Sequence, residues 1–265
     1  MALNMTNFAA ALKQHYTSQR IENMVYKDNP FLAMVSKYES FGGENLKLPI
    51  KYGIPQGRSA TFSDALANKT NSQLKAFLLT RKSNYSLADI DNETLEASKG
   101  NANAFIEAAT TEIDGAIESA TRSLAISLFG DGGGSIGQID TTVAGTTITL
   151  NQADDITNFE VGMALNLYSA ATGGTVRAST VSGNWVGVVE SVNRDAGSLV
   201  VDTNLNTATG ITALDYIVPE GDYDKMLSGL GAWIPSSAPG GTDSFFGVNR
   251  SADATRLGGI RFAGG

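Results

Sequence analysis

Residues 101–129, NANAFIEAATTEIDGAIESATRSLAISLF, contain the longest regular pattern in the chain. Apolar residues recur here at intervals of three or four, which places them on one face of an α-helix. They are Phe105, Ala109, Ile113, Ala116, Ala120, Leu124 and Leu128. The glycine-rich run GDGGG at 130–134 ends the pattern, because glycine favours helix termination. We predict a helix roughly 40 Å long, whose alanine-rich stripe packs closely on a neighbouring element such as a β-sheet.

Upstream of this helix, residues 44–88 have the alternation typical of β-strands. Leu46, Leu48 and Ile50 alternate with polar residues, as in a half-buried strand. Residues 77–85 indicate a return strand, and a polar stretch at 63–73 lies between the two. We predict an extended hairpin with a long polar tip. Such a hairpin is poorly stable alone, so it implies a partner surface.

Downstream of the helix, residues 138–218 lose the helical period and are rich in Thr, Val, Gly, Asn and Ser. Turn signals separate five short strand candidates, which predict a small barrel or a sandwich. The candidates are 146–150, 163–168, 175–178, 185–192 and 198–202. The segment has eight Asp and Glu residues against two Arg residues. We interpret it as an inserted, acidic all-β domain that faces outward.

The composition of the chain excludes several kinds of chemistry. Its 265 residues include no cysteine and one histidine, His15, which excludes disulfide scaffolds, thiolate zinc sites, cysteine nucleophiles and clustered-histidine metal sites. Residues 101–265 hold 7 Lys and Arg against 18 Asp and Glu, which argues against tight nucleic-acid binding by this half. We expect no enzyme activity and no catalytic, cofactor-binding or metal-binding residues.

Two motifs resemble ligand-binding loops, but the residues around them do not fit such loops. Residues 89–93 resemble part of a calcium loop, yet the loop's glycine at position 6 and glutamate at position 12 are missing. The glycine run at 130–137 follows a helix instead of opening one, and no lysine follows it, so it does not fit a phosphate loop. No apolar stretch approaches the roughly 18 residues that span a membrane, and the N-terminus has no secretory signal.

The order of segments along the chain is an arm, a long hairpin, an alanine-rich helix, a β-insertion and the strings GLGAWIP at 229–235 and FFGVNR at 245–250. This order resembles the major capsid proteins of tailed bacteriophages with the HK97-type fold. The resemblance implies an α+β fold in which a long spine helix lies on a β-sheet. Its parts are an N-terminal arm at 1–43, an extended loop (E-loop) at 44–88, a peripheral domain at 89–137 with the spine helix at 101–129, the inserted β-domain at 138–218, and a return to the peripheral and axial core at 219–265 that is incomplete at its C-terminus.

The same resemblance implies a structural protein of the virion. Hexamers and pentamers of the chain would assemble in the host bacterial cytoplasm into an icosahedral shell that encloses double-stranded DNA without sequence-specific contacts. Decoration, scaffold and portal proteins are further expected partners, and no membrane is expected. Some members of the family form Lys–Asn crosslinks. Lys69 and Lys75 lie near the predicted loop tip, but no motif selects them, and we predict no crosslink.

Two other functions remain open from the residues. The β-domain could be an adhesion or carbohydrate-binding part of a phage tail or decoration structure, with Trp185 and Tyr168 as stacking groups, although core filling is the more ordinary role of such rings. A hydrolase needs two carboxylates at a set separation. Its candidates would be Asp154, Asp155, Asp202 and Asp215, for which solvated surface is the more ordinary role.

Overall fold

The computed structural model describes residues 29–38, 43, 45–88, 102–141 and 143–262, and the side chains of its long helix from Thr110 onward. Most of the predicted arm, and residues 89–93 that resemble part of a calcium loop, lie outside these residues. The chain divides into two compact units. The first consists of residues 1–38 and 83–128, and the second of residues 39–82 and 129–265.

The helices and strands follow one another along the chain as short elements, apart from one long helix. They are α1 (Pro30–Met34), β1 (Asn45–Gly53), α2 (Phe62–Ala67), β2 (Gln73–Thr80), α3 (Ala102–Phe129), β3 (Gly137–Gln138), β4 (Thr147–Thr149), β5 (Ala164–Tyr168), β6 (Ala178–Ser179), β7 (Gly187–Asn193), β8 (Ser198–Val201), β9 (Ala208–Thr209), β10 (Tyr216–Pro219) and α4 (Leu230–Trp233). In the described part of the chain there are also three 3₁₀ turns, at Ala153–Asn158, Leu205–Thr207 and Arg250–Asp253.

The first unit is organised around α3. Residues 84–86 form hydrogen bonds to this helix through their side chains. Asn84 Nδ2 donates to Ser123 Oγ at 3.1 Å, and Ser86 Oγ donates to the carbonyl oxygen of Ala116 at 2.9 Å. These bonds fix the segment along one side of the helix without any strand pairing.

Six strands of the second unit form one antiparallel sheet in the order β3-β10-β5-β7-β8-β4. Its two edges meet, because Ile139 and Leu150 form an antiparallel bridge and the Asp140 amide donates to the Thr149 carbonyl at 2.8 Å. The sheet therefore closes on itself and leaves few unpaired backbone groups at its edges. Its buried apolar residues include Ile139, Ile148, Phe159, Leu165, Leu167, Val189, Leu199, Val201, Ile217 and Val218.

The predicted HK97-like architecture is wrong. Within the described residues, the strands form the two-stranded β1–β2 hairpin, the closed six-stranded sheet and the small β6–β9 pair, and these are mostly antiparallel. The six-stranded sheet is built from the segment predicted as an insertion, together with the adjoining residues 137 and 219. The described residues form no further sheet that could carry a spine helix, and α3 does not have that role.

The predicted hairpin is present with changed limits. β1 pairs with β2 in antiparallel register, with Leu48 opposite Phe77. The return strand, predicted over 77–85, begins earlier and ends at Thr80. The tip, predicted as a polar stretch, contains the short helix α2. Among the described residues, no helix combines the length and the apolar character that crossing a membrane requires.

Candidate interaction surface of the hairpin

The four carboxylates considered for a hydrolase are divided among three different local environments. Asp215 is buried and accepts from Arg177 Nε at 2.7 Å, so its charge is paired. Asp202 Oδ1 accepts from the Val188 amide at 2.8 Å. Asp154 and Asp155 share the 3₁₀ turn Ala153–Asn158, where burial, and to a lesser degree the charge of Asp154, raises the pKa of Asp155. In the described part of the chain, no three His, Cys, Asp or Glu side chains form a group that could hold a metal ion.

The two rings considered for sugar stacking have protein neighbours. Trp185 has no exposed surface, and its Nε1 donates to the Asn204 carbonyl at 3.2 Å. Tyr168 is stacked on Tyr223, with ring centroids 3.6 Å apart and planes 9° from parallel. The Tyr223 hydroxyl donates to the Ala170 carbonyl at 2.8 Å, which fixes the stack. Trp185 therefore offers no open ring face, and Tyr223 occupies one face of Tyr168.

One face of the hairpin is anchored to other segments of the second unit, to which the hairpin itself belongs. Residues directly opposite each other in an antiparallel pair lie on the same face, so Leu48, Ile50 and Phe77 share this side. Phe77 is buried and meets Trp233 and Phe245 edge to face, with centroid distances of 5.8 and 6.0 Å. Together with Val248 and Leu257, these three aromatic residues form what we call the anchor cluster.

A buried ion pair ties the anchor cluster together. Arg250 is 4% exposed, and its Nε and Nη2 atoms each donate to Asp243 at 2.8 Å. Its Nη1 donates to the Ala232 carbonyl at 2.9 Å, and its guanidinium carbon lies 4.4 Å from the centroid of the Phe245 ring. The hydrogen bonds from Arg250 lower the pKa of Asp243. The pair therefore joins the chain segment around α4 to the segment around Phe245.

A tight turn covers the outer edge of β2. Phe245 and Val248 exchange two backbone hydrogen bonds, of 3.1 and 3.0 Å, around Phe246 and Gly247. Both central residues have positive φ angles, +47° and +77°, as in the type I′ turns of hairpins. Phe246 holds this conformation at a cost of order 1 kcal/mol, and its carbonyl accepts from the Leu78 amide at 2.9 Å. The turn thus caps the strand that carries Phe77.

The opposite face of the hairpin, here called the outer face, is exposed. Its cross-strand pairs are Lys47 with Leu78, Pro49 with Ala76, and Lys51 with Leu74. All six side chains are exposed, and Leu74 reaches 65%. Two lysines therefore flank a patch of apolar side chains on a sheet face that the rest of the described chain leaves open to solvent.

The tip of the hairpin is ordered, although its apolar side chains point outward. The Thr70 amide donates to the Gln56 carbonyl at 2.9 Å, and the Gln56 amide donates to Thr70 Oγ1 at 2.9 Å, so the base of the loop is closed by two bonds. Three large apolar residues of the loop are exposed, and Phe62 is 82% exposed. They are Ile54, Phe62 and Leu66. The loop therefore presents apolar groups to solvent from a fixed frame.

The hairpin is basic. Residues 45–82 hold seven Lys and Arg residues and one Asp residue. Lys75 is used locally, because its Nζ donates to the Asn249 carbonyl at 2.6 Å and lies 5.4 Å from the centroid of the Tyr52 ring. Lys69 is exposed at the tip. The positive charge of this element contrasts with the acidic segment that forms the closed sheet.

Comparisons of the chain with family models, with curated protein sequences and with solved structures found no match.

Proposed function

We propose that this chain is a structural protein that assembles with further copies of itself into a multi-copy shell, the capsid of a tailed bacteriophage. The observation that carries the proposal is the hairpin, which is anchored by one face and offers an apolar outer face and an apolar tip to solvent. Exposed apolar patches with a polar rim are typical of protein–protein interaction sites. An ordered element of this kind is suited to reach a neighbouring subunit.

The more specific proposal of a phage shell rests on the resemblance of the sequence to phage capsid proteins, although the HK97-type fold that the resemblance also implied is wrong. The acidic character of residues 101–265 suits a container whose wall must release its DNA, because a wall with few clustered cations binds phosphate weakly. In this proposal the chain acts in the virion, and the enclosed DNA is not recognised by sequence.

The experiment is to measure the assembly state of the purified chain by sedimentation velocity and negative-stain electron microscopy over a range of protein and salt concentrations. We expect large closed particles or rings of subunits. A second sample carries Ile54→Ser, Phe62→Ser and Leu66→Ser, which remove the apolar tip and should reduce assembly. Val181→Ser, at a valine that is 85% exposed outside the hairpin, is the matched control and should assemble normally. A chain that stays monomeric under every condition contradicts the proposal.

A further inference from the structure

The closed sheet carries a row of side chains that complements the outer face of the hairpin. The Glu220 amide donates to the Ala164 carbonyl at 2.9 Å, and Ala164 is paired with Val188. The Asp202 amide donates to the Val188 carbonyl at 3.0 Å. Glu220, Ala164, Val188 and Asp202 therefore lie side by side on one face across four neighbouring strands. We call this set the carboxylate row.

The carboxylate row is accessible and has an apolar centre. Val188 is 37% exposed, while Asp202 and Glu220 at the two ends of the row are both exposed. Glu190 follows Val188 by two residues on the same strand, at a bulge between Val189 and Ser191, and adds a third exposed carboxylate beside the row. The row thus has the same arrangement as the outer face of the hairpin, with opposite charge.

The spacing of the charges on the two surfaces agrees. Lys47 and Lys51 are four residues apart on one strand, which separates their Cα atoms by about 13 Å. Glu220 and Asp202 are three strand intervals apart, a separation of about 14 Å. Both lysines can therefore reach a carboxylate while the apolar centres are in contact.

We propose that the outer face of the hairpin of one copy docks on the carboxylate row of a second copy. Lys47 and Lys51 pair with Glu220 and with the Oδ2 atom of Asp202, because Asp202 Oδ1 already accepts from the Val188 amide and from Thr203 Oγ1. Leu74 and Leu78 cover Val188. The overall charges favour this occupant, because residues 45–82 carry seven cations against one anion and residues 138–218 carry eight anions against two cations. The two surfaces differ, so the contact is head to tail and each copy can bind a further one. This inference rests on the proposed function, since it names the contact through which copies associate.

The test is a charge exchange between the two surfaces in the full chain. One variant carries Lys47→Glu and Lys51→Glu. The other carries Glu190→Lys and Glu220→Lys, which reverses the charge of the row while the Asp202 side chain keeps its hydrogen bond from the Val188 amide. Each variant alone places like charges opposite each other, so its self-association should weaken by about tenfold or more. An equimolar mixture should associate again, because the acidic hairpin then meets the basic row and the unchanged hairpin meets the unchanged row. Recovery in the mixture also shows that both variants are folded.

The matched control is Arg194→Glu with Lys225→Glu, which makes the same change in net charge at two exposed cations outside the hairpin. This control should associate like the unaltered chain at low salt. If the unaltered chain associates and the mixture does not recover, the docking is wrong while the shell function stands. If the unaltered chain never associates, the shell function fails as well. Double-stranded DNA added at low salt tests whether DNA is the occupant of the outer face instead. The docking would be overturned if the Lys47→Glu and Lys51→Glu variant alone lost DNA binding while its self-association stayed unchanged.

Discussion

Arg250 and Asp243 form a two-point ion pair in the anchor cluster, with both nitrogen–oxygen distances at 2.8 Å. The guanidinium is nearly inaccessible to solvent, whereas the Asp243 side chain keeps 19% of its surface exposed. Arginine stays charged in proteins, so the buried Arg250 needs a counter-charge. That counter-charge is Asp243, seven residues earlier in a loop that contains glycine and serine.

Replacement of Asp243 by Asn should destabilise the second unit. The substitution leaves the Arg250 charge buried without its counter-charge, and removing one partner of a buried pair costs about 3 kcal/mol in the free energy of unfolding. Urea denaturation measures the change. Glu160→Gln is the control. Glu160 Oε1 lies 2.8 Å from Arg194 Nη2, and both side chains are about half exposed. Such surface pairs contribute less than about 1 kcal/mol. Equal losses in the two variants would show that burial of Arg250 is unimportant.

The same pair predicts the sign of a pH effect. The hydrogen bonds from Arg250 hold the pKa of Asp243 below its ordinary value of 3.8. A carboxyl group whose pKa is lowered by folding adds stability above the unfolded pKa, and this stability is lost as the pH falls through the folded pKa. The difference in unfolding free energy between the unaltered chain and Asp243→Asn should be complete at neutral pH and shrink below pH 3.8. Denaturation series at several pH values check this, and a difference that grows with acid would contradict it.

The two faces of β2 should respond differently to truncation. Phe77→Ala removes a buried ring from the anchor cluster and should cost about 3 kcal/mol. Leu78→Ala removes a neighbouring side chain that is 38% exposed and should change stability by less than about 1 kcal/mol. Hydrogen exchange of the β1 and β2 amides should accelerate for Phe77→Ala only. Faster exchange in both variants would mean that the outer face also contributes to anchoring.

A backbone contact at Gly133 should make this position intolerant of any side chain. A Cβ atom built there would lie 1.9 Å from the carbonyl oxygen of Ala171, a backbone atom. Gly133→Ala should therefore cost more than roughly 2 kcal/mol through overpacking. Gly240→Ala is the matched control, because a Cβ atom there meets nothing within 4 Å. Thermal unfolding compares the two, and equal melting temperatures would show that the Ala171 segment moves aside at little cost.

Local patterns in the sequence predict individual elements of this fold well. The alternation of Leu46, Leu48 and Ile50 predicts β1, and the opposite faces of Phe77 and Leu78 follow from the same period of two. The apolar period over 101–129 predicts the helix that the structure has at Ala102–Phe129. Each of these signals is contained within a single run of neighbouring residues, so no knowledge of distant partners is needed.

The arrangement of the elements depends on contacts that one sequence does not reveal. Gly137 pairs with Ile217. The strand β3 has only two residues, so no local pattern in the sequence predicts this pairing. The closure of the sheet rests on the bridge between Ile139 and Leu150. The order of segments alone suggested a spine helix on a sheet, but order does not determine pairing. This is why the individual elements could be predicted and their architecture could not.

The candidate surface was predicted in part. The strand alternation places the lysines at 47 and 51 on the polar side of β1. The need for a partner surface follows because an isolated two-stranded hairpin is poorly stable. The anchor cluster was missed, because Asp243 and Arg250 lie in a segment without periodicity. The string FFGVNR could have been a signal, since a glycine after two aromatic residues is compatible with a turn of positive φ.

The pairing of Gly137 with Ile217 has a consequence for how such a gene can change. The chain enters the closed sheet through β3 and leaves it through the adjacent strand β10. The two ends of the stretch 137–217 therefore lie on the order of one strand spacing apart. Recombination can then exchange this stretch as a cassette, or replace it with a short linker, and the residues on either side still meet.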